Sequence, residues 1–299
     1  MIKNVCTEKV SSKMPFLKAP SKVFLMNPYV ELMRPYNGIL AILGIIIGAI
    51  VGMSLSAPLS GIIFAIIVAF LVNGAGNVIN DYFDVEIDKI NRPKRPIPSG
   101  KVKRQNALNY FILLTAISLV LSYFVSLHFL YMAIANSIVS FVYSWKLKKT
   151  PFIGNVAVSW LAASTFMAGA LIAHTFYSLA PAVMILALIA FLGTLSREIF
   201  KDMEDVEGDK KAGAKTLPIA IGGKKAGIVA VAITIIAILS LLLPVYYALF
   251  DAFYYIGMVP AAVICLAAIA KMKNPHKSQK MLKISMYFVF LGFILGTFL

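Results

Sequence analysis

Long apolar segments alternate with short charged segments along the chain beyond residue 34. No charged residue occurs between Arg34 and Asp81, which leaves room for two transmembrane helices of about 20 residues each. The pattern continues to the C-terminus and predicts spans at 35–55, 59–80, 107–125, 129–143, 154–174, 181–196, 226–250, 252–270 and 281–299. The sequence therefore predicts an all-α integral membrane protein with about nine transmembrane helices.

The N-terminal 33 residues differ from the rest because they contain no long apolar segment. They lack the apolar core of a secretory signal peptide. Asn27 and Pro28, with Glu31 beyond them, predict the start of a helix, since proline suits the first helical position and an acid suits the first turn. We expect residues 1–33 to form a cytoplasmic tail, in which a short basic interfacial helix can lead into the first span. Residues 34–299 are expected to form one transmembrane domain.

The basic residues all fall on one side of the predicted topology. A net charge of +15 could indicate a nucleic-acid partner. However, all 28 Lys and Arg residues lie in the N-terminal tail or in the loops after spans 2, 4, 6 and 8. The loops on the opposite side contain no Lys or Arg and one acidic residue, Asp251. Basic loops face the cytoplasm in membrane proteins. We therefore predict a multi-pass protein of the cell membrane with a cytoplasmic N-terminus, an external C-terminus and no nucleic-acid partner.

Ten of the 13 acidic residues lie in two short segments, which follow spans 2 and 6 and so share the cytoplasmic side. At about 100° per residue, one helix face in each segment gathers most of the oxygen donors. These are Asn80, Asp81, Asp84 and Asp88 in the first segment, and Glu198, Asp202, Asp205 and Asp209 in the second. Glu86, Glu204 and Glu207 are expected to point away.

So many carboxylates on one face repel each other unless a cation lies between them. Mg²⁺ fits this composition, because it takes hard oxygen ligands and commonly bridges carboxylates and substrate phosphates. The three histidines are scattered and do not indicate a zinc site. The sequence thus predicts Mg²⁺ and a phosphorylated substrate. The alternative is that the segments are two unrelated, solvated helix ends.

A basic segment follows each acidic segment. Three prolines between Pro93 and Pro98 end the first helix, and Lys94 and Arg95 lie between them. Lys210, Lys211 and Lys215 follow the second acidic segment in the same way. Lys and Arg bind phosphate oxygens, and Arg can do so with two parallel hydrogen bonds. An acidic helix end followed by a basic loop is consistent with binding Mg²⁺ and a diphosphate together.

These motifs resemble those of the UbiA superfamily of intramembrane prenyltransferases. That family carries NDxxDxxxD after its second helix, here Asn80 to Asp88, and DxxxD after its sixth, here Asp205 to Asp209. The resemblance covers nearly the whole chain and implies a UbiA-type bundle of nine helices with a central cavity open to the cytoplasmic side. The segments NDYFDVEIDKINRPKRPIPSG and REIFKDMEDVEGDKKAGAKTLP are similar to the archaeal digeranylgeranylglyceryl phosphate synthase branch. That similarity implies transfer of a geranylgeranyl group from its diphosphate to geranylgeranylglyceryl phosphate.

The resemblance also implies roles for individual residues. Asn80, Asp84 and Asp88 are implied to hold one Mg²⁺, and Asp205 and Asp209 the other, with Asp81 and Asp202 assisting. The four aspartates Asp84, Asp88, Asp205 and Asp209 are thereby implied as catalytic. The candidates for contact with the diphosphate or the acceptor are Arg34, Asn77, Lys94, Arg95, Lys146, Arg197 and Lys201.

Two other functions remain open from the sequence. Related branches with nearly the same metal motifs prenylate aromatic acceptors such as 4-hydroxybenzoate or naphthoate. The motifs therefore specify the donor, an isoprenyl diphosphate, but leave open whether the acceptor is a lipid phosphate or an aromatic compound. A cation transporter with acidic gates is the other alternative, although transporters place their sites near the membrane midplane. A CDP-alcohol phosphotransferase would need a DGxxAR-type motif, which the chain lacks. Besides the donor and the acceptor, the lipid bilayer is an expected partner. The sequence leaves the oligomeric state open.

Overall fold

The computed structural model describes residues 27–52, 57–173 and 181–298, which are helical almost throughout. Its helices are α1 (Pro28–Met33), α2 (Pro35–Val51), α3 (Leu59–Phe83), α4 (Val85–Asn91), α5 (Arg104–Val125), α6 (Leu127–Trp145), α7 (Ile153–Ala170), α8 (Pro181–Glu204), α9 (Val206–Lys211), α10 (Leu217–Ile221), α11 (Gly223–Ser240), α12 (Leu243–Tyr246), α13 (Tyr254–Ala270) and α14 (Pro275–Phe298). No strand occurs among these described residues. The predicted all-α class is therefore confirmed.

Each of the nine predicted spans corresponds to a helix or a pair of helices. Seven segments of the described chain are long and apolar enough to cross a membrane, and they comprise α3, α5, α6, α7, α8, α11 with α12, and α14. The other two predicted spans correspond to α2 and α13, which are apolar but shorter. The chain is thus a multi-pass membrane protein, and a total of nine spans stays a prediction.

The predicted start of the first helix is confirmed at Asn27. Its side chain accepts a hydrogen bond of 2.9 Å from the backbone N–H of Tyr29, and Pro28 is the first residue of α1. Such an N-cap satisfies a backbone donor that has no partner within the helix. Residues 1–26, where the interfacial helix was expected, lie outside the described part of the chain.

Several predicted helix ends are wrong. α8 continues to Glu204 and α14 begins at Pro275, because charged residues limit the apolar span without ending the helix. The predicted span 226–250 is divided, because α11 ends at Ser240 and a turn precedes α12. Pro244 lies in the first turn of α12. Proline has no N–H to donate inside a helix and is accommodated in a first turn.

Small residues bring the helices around the interior into close contact. A methyl group on Gly48 of α2 would lie 2.0 Å from the carbonyl oxygen of Phe166 in α7, and one on Gly169 would lie 2.1 Å from that of Ile45. Gly257 of α13 is similarly close to Gly292 of α14. Glycine and alanine allow membrane helices to approach closely without side chains between them. These contacts fix the helices that enclose the site.

Both acidic segments contain a break between a long helix and a short one. α3 ends at Phe83 and α4 begins at Val85, while α8 ends at Glu204 and α9 begins at Val206. The prediction of one continuous helical face in each segment is therefore wrong. Asp84 and Asp205 occupy the two breaks, and each short helix has acidic residues in its first turn, where the helix dipole favours them.

Candidate active site

A cavity of about 950 Å³ lies between α2, α3, α6, α7, α8 and α14. Its volume is near the upper end of the roughly 300–1,000 Å³ found for small-molecule sites. Along α3, the lining changes from Asn80, Asn77 and Asn73 near the break to Val72 and Val68 in the middle of the helix. The lining residues of α6, α8 and α14 show the same change from polar to apolar. The cavity therefore suits a ligand with a charged head and a long apolar tail.

Three residues of the first motif line the polar end as predicted: Asn80, Asp84 and Asp88. Protein cations pair with two of them. The Lys148 ammonium forms an ion pair with Asp84, and an Arg95 nitrogen lies 2.5 Å from a carboxylate oxygen of Asp88. The structure thus brings α3, α4, the loop after α4 and the loop after α6 together at this end of the cavity.

Asp81 departs from the predicted face, because its buried carboxylate does not line the cavity. It forms an ion pair with Arg34 and accepts a hydrogen bond of 3.0 Å from Arg95. Arg34 adopts a left-handed conformation (φ 51°) at the junction of α1 and α2, and Asn77 donates a 3.0 Å hydrogen bond to the Met33 carbonyl next to it. The structure therefore places Asp81 in a network that holds two arginines, while Arg34, Arg95 and Asn77 line the cavity as predicted.

The second motif lies across the cavity on α8 and α9. Asp202, Asp205 and Asp209 all line it, as the sequence predicts. Asp202 accepts a 2.7 Å hydrogen bond from the buried amide of Asn155 on α7. Partial removal from water raises the pKa values of Asp205 and Asp209, because the charged carboxylates lose hydration at the cavity wall. A bound cation would restore the favourable environment that these two carboxylates lack.

Glu198 forms a separate cluster one turn before Asp202. Its carboxylate is buried, forms an ion pair with the neighbouring Arg197, and lies 3.2 Å from the Lys201 ammonium. All three residues line the cavity. The sequence predicted this orientation for Glu198 and selected Arg197 and Lys201 as substrate contacts, but it gave no sign that one carboxylate holds both cations.

Two lysines that the sequence selected do not reach the cavity. Lys94 and Lys146 are exposed and absent from its lining, whereas Lys148 and Lys149 are part of it. The correction follows from the chain path after α6, which ends at Trp145 and continues into a 3₁₀ turn at Leu147–Lys149. Because three of four successive residues there are lysines, only the turn geometry could identify the inward ones.

The acidic residues expected to point away behave in two ways. Glu86 and Glu207 are exposed and absent from the cavity lining, which confirms the prediction for them. Glu204 was predicted wrongly, since it contributes to the lining. Its carboxylate is nevertheless bound by α14, where it lies 2.5 Å from His276 Nδ1 and accepts a 3.1 Å hydrogen bond from Gln279. Glu204 is the last residue of α8, immediately before the break at Asp205, where the continuous helical face assumed in the prediction ends.

The oxygen donors at the polar end fit a hard divalent cation. Six of the predicted metal residues line the cavity, namely Asn80, Asp84, Asp88, Asp202, Asp205 and Asp209. In the part of the chain that the structure describes, no three acidic, His or Cys side chains converge tightly enough to enclose a metal ion by themselves. Mg²⁺ commonly takes only one or two carboxylates and completes its shell with water and phosphate oxygens, so this arrangement suits it.

Comparisons with known proteins agree with this geometry. Residues 41–294 match the sequence profile of the UbiA prenyltransferase family. Digeranylgeranylglyceryl phosphate synthase of Methanosphaera stadtmanae is 40% identical over 278 residues, covering 91% of this chain and 100% of the relative. The enzyme of the same name from Pyrococcus abyssi is 41% identical over 279 residues, covering 91% of this chain and 98% of the relative.

Solved structures share the fold. A digeranylgeranylglyceryl phosphate synthase structure superposes with a TM-score of 0.75 at 36% identity, over 90% of this chain and 97% of that one. A UbiA homologue from Archaeoglobus fulgidus, solved with GPP and Mg²⁺ bound, superposes with a TM-score of 0.65 at 20% identity, over 90% and 99% of the two chains. At that lower identity, the second likeness establishes the fold alone.

Proposed function

The chain belongs to the UbiA prenyltransferase family, and from this premise we propose that it is a membrane prenyltransferase of archaeal ether-lipid synthesis. It transfers a geranylgeranyl group from geranylgeranyl diphosphate to the free hydroxyl of geranylgeranylglyceryl phosphate. The observation that carries this proposal is the single cavity whose polar end holds both acidic motifs and whose other end is apolar. The relatives named digeranylgeranylglyceryl phosphate synthase, which are about 40% identical over 91% of this chain, support the choice of acceptor.

We propose that the residues at the polar end hold Mg²⁺ together with the donor diphosphate. Asn80, Asp84 and Asp88 would provide oxygens on one side, and Asp205 and Asp209 on the other, with Asp202 beside them. When bound, the metal neutralises the charge that develops on the departing diphosphate. The Mg²⁺ bound with GPP in the Archaeoglobus fulgidus homologue supports this assignment.

The protein's own cations are placed to receive the diphosphate. Lys148 and Arg95 now pair with Asp84 and Asp88, and both line the cavity. If the carboxylates turn to a metal, these cations become available for phosphate oxygens, to which Arg can donate two parallel hydrogen bonds. They then stabilise the leaving group while the bond between C1 of the prenyl chain and the diphosphate oxygen breaks. The acceptor oxygen bonds to C1, and its proton is released.

The apolar end holds the prenyl chain and keeps water from C1. Its lining includes Phe129, Met132, Phe166, Val289 and Phe290, which come from α6, α7 and α14. An allylic cation at C1 would react with water, so exclusion of water favours transfer to the acceptor over hydrolysis. The positive-inside pattern supports a cytoplasmic location for the polar end and for the diphosphate.

An acceptor panel tests this proposal. Purified protein is incubated with geranylgeranyl diphosphate, Mg²⁺ and each acceptor in turn, and the lipid products are identified by mass spectrometry. We expect digeranylgeranylglyceryl phosphate with the lipid-phosphate acceptor. Prenylated 4-hydroxybenzoate or naphthoate as the main product would instead assign the aromatic branch. Absence of product and of released diphosphate with every acceptor would contradict prenyl transfer altogether.

A further inference from the structure

Two groups of cations line the cavity, and their direct ion pairs differ in charge balance. The first cationic group pairs three cations with three carboxylates, namely Arg34, Arg95 and Lys148 with Asp81, Asp84 and Asp88. In the second cationic group, Arg197 and Lys201 share the single carboxylate of Glu198. The first group is therefore neutral over its direct pairs, and the second carries one positive charge in excess.

The charge of Lys201 also interacts with Asp202, Asp205 and Asp209, so the unmet need for an anion lies at Arg197. Glu198 is buried, and the Arg197 and Lys201 side chains are partly removed from water. The Nε–H group of Arg197 is also buried and has no hydrogen-bond acceptor among the described residues. A buried donor costs free energy unless a ligand satisfies it. The second cationic group thus has an unused capacity for an anionic oxygen.

The position of Arg197 along α8 separates it from the second motif, whereas Lys201 adjoins Asp202. Arg197 precedes Asp205 by two helical turns, which is about 12 Å along the axis at 1.5 Å per residue. The next lining residues in that direction are Thr194, Gly193 and Ala190. Arg197 therefore lies between the carboxylates of the second motif and the apolar end of the cavity, and Lys201 lies at the boundary with that motif.

The chemistry of the acceptor requires an anion site in this region. This step rests on the proposed function. A glycerol that carries one ether and one phosphate has a single free hydroxyl, at most two carbons from the phosphate-bearing carbon. That hydroxyl must reach C1 of the donor, on the apolar side of the diphosphate. The acceptor phosphate must therefore lie in the same cavity, close to C1 and apart from the donor diphosphate.

We propose that Arg197 and Lys201 form the binding site for the phosphate of the acceptor lipid. The planar guanidinium of Arg197 can bind a phosphomonoester through two hydrogen bonds, and the Lys201 ammonium adds a second charge. Glu198 is the positioning residue, because it holds both cations at the wall before the ligand arrives. The first cationic group serves the donor diphosphate, so the two substrates use separate cations.

The test compares acceptors with and without the phosphate. Full-length protein in lipid nanodiscs is assayed with geranylgeranyl diphosphate and either geranylgeranylglyceryl phosphate or geranylgeranylglycerol. The readout is the ratio of kcat/KM for the two acceptors, which a general loss of activity does not change. We expect Arg197→Gln and Lys201→Gln each to lower this ratio by about tenfold, a change worth about 1.4 kcal/mol. Arg95→Gln, the matched variant in the first cationic group, should raise the KM for the donor and keep the ratio.

Direct binding separates failure of this inference from failure of the proposed function. If wild-type protein makes no product from the lipid phosphate, the proposed function fails, and binding of the two acceptors to wild-type and Arg197→Gln protein still decides the role of Arg197. Preferential binding of the phosphorylated lipid that Arg197→Gln abolishes supports the site. Should Arg197→Gln not fold, the more exposed Lys201→Gln carries the same expectation. An unchanged acceptor ratio together with a raised donor KM would overturn the proposal and assign both cationic groups to the diphosphate.

Discussion

The two acidic motifs occupy equivalent positions after α3 and α8, yet they differ in how their charges are satisfied. In the first, Lys148 and Arg95 form ion pairs with Asp84 and Asp88. In the second, Asp205 and Asp209 form no direct ion pair among the described residues, and their pKa values are raised by partial removal from water. One motif is thus neutralised by the protein itself, while the other depends on a ligand for neutralisation.

This difference separates stability from function within similar sequences. A carboxylate held by buried cations stabilises the fold, and its removal leaves charges without partners. A partly buried carboxylate that has no cationic partner loses hydration on folding without gaining an ion pair, so its removal costs the fold little and leaves no cation unpaired. The same aspartate side chain can therefore be structural in one motif and purely functional in the other.

The largest expected effect is on stability. Asp81→Ala removes the carboxylate between Arg34 and Arg95, so we expect the free energy of unfolding to fall by about 3–5 kcal/mol. Asp209→Asn, made in the absence of Mg²⁺, should leave the melting temperature unchanged or raise it at neutral pH. The pKa of Asp209 is raised in the folded state, so its contribution to the free energy of unfolding is largest below its unfolded pKa and is lost as the pH rises. At neutral pH an uncharged asparagine is therefore no less favourable at this position. Equal destabilisation by both variants in thermal melts would contradict the contrast.

The next largest effect is on turnover and should be common to both motifs. Asp84→Ala and Asp205→Ala each remove an oxygen at the polar end of the cavity, and we expect kcat to fall by roughly 100-fold or more. Both variants should still insert and fold, but Asp84→Ala should melt at a lower temperature than Asp205→Ala, because it leaves Lys148 without its partner. Glu86→Ala is the matched control, since its exposed carboxylate pairs only with Lys89 at 2.9 Å among the described residues. If the control lost as much activity, the assignment of the cavity-facing carboxylates would be incorrect.

A smaller effect should distinguish two neighbouring lysines. Lys148→Gln removes the partner of Asp84 and a cation available to the diphosphate, so we expect the donor KM to rise by about tenfold. Lys146→Gln changes the same charge at an exposed position outside the cavity and should leave the donor KM unchanged. Steady-state kinetics with varied geranylgeranyl diphosphate measures both. A larger effect at Lys146 would restore the assignment made from the sequence.

The smallest effect is expected at Glu204. Its carboxylate contacts His276 and Gln279 at the edge of the cavity, where hydrogen bonds and ion pairs between exposed groups contribute about 0–1 kcal/mol. Glu204→Ala should therefore keep most of the turnover and lower the melting temperature only slightly. Loss of turnover comparable to that of Asp205→Ala would show that Glu204 takes part in the reaction.

Much of the fold could be predicted from hydropathy and charge, because a bilayer imposes a strong and regular constraint on both. Each of the nine predicted apolar segments overlaps at least one of the helices of the described residues. The errors concern helix ends, such as that of α8, where helical hydrogen bonding continues past the apolar span. They also concern the breaks at Asp84 and Asp205, which invalidate angles calculated for a continuous helix.

The sequence by itself determined the class, the two motifs and the chemistry of their side chains, since apolar length and oxygen-rich spacing are local properties of the chain. Only the tertiary structure decided how those charges pair. It placed Asp81 between two arginines, selected Lys148 over Lys146, and gave Arg197 and Lys201 a shared partner in Glu198. The first two pairings join residues from different parts of the chain, and the third lies within α8 but depends on burial of Glu198 against the neighbouring helices, which no local pattern specifies.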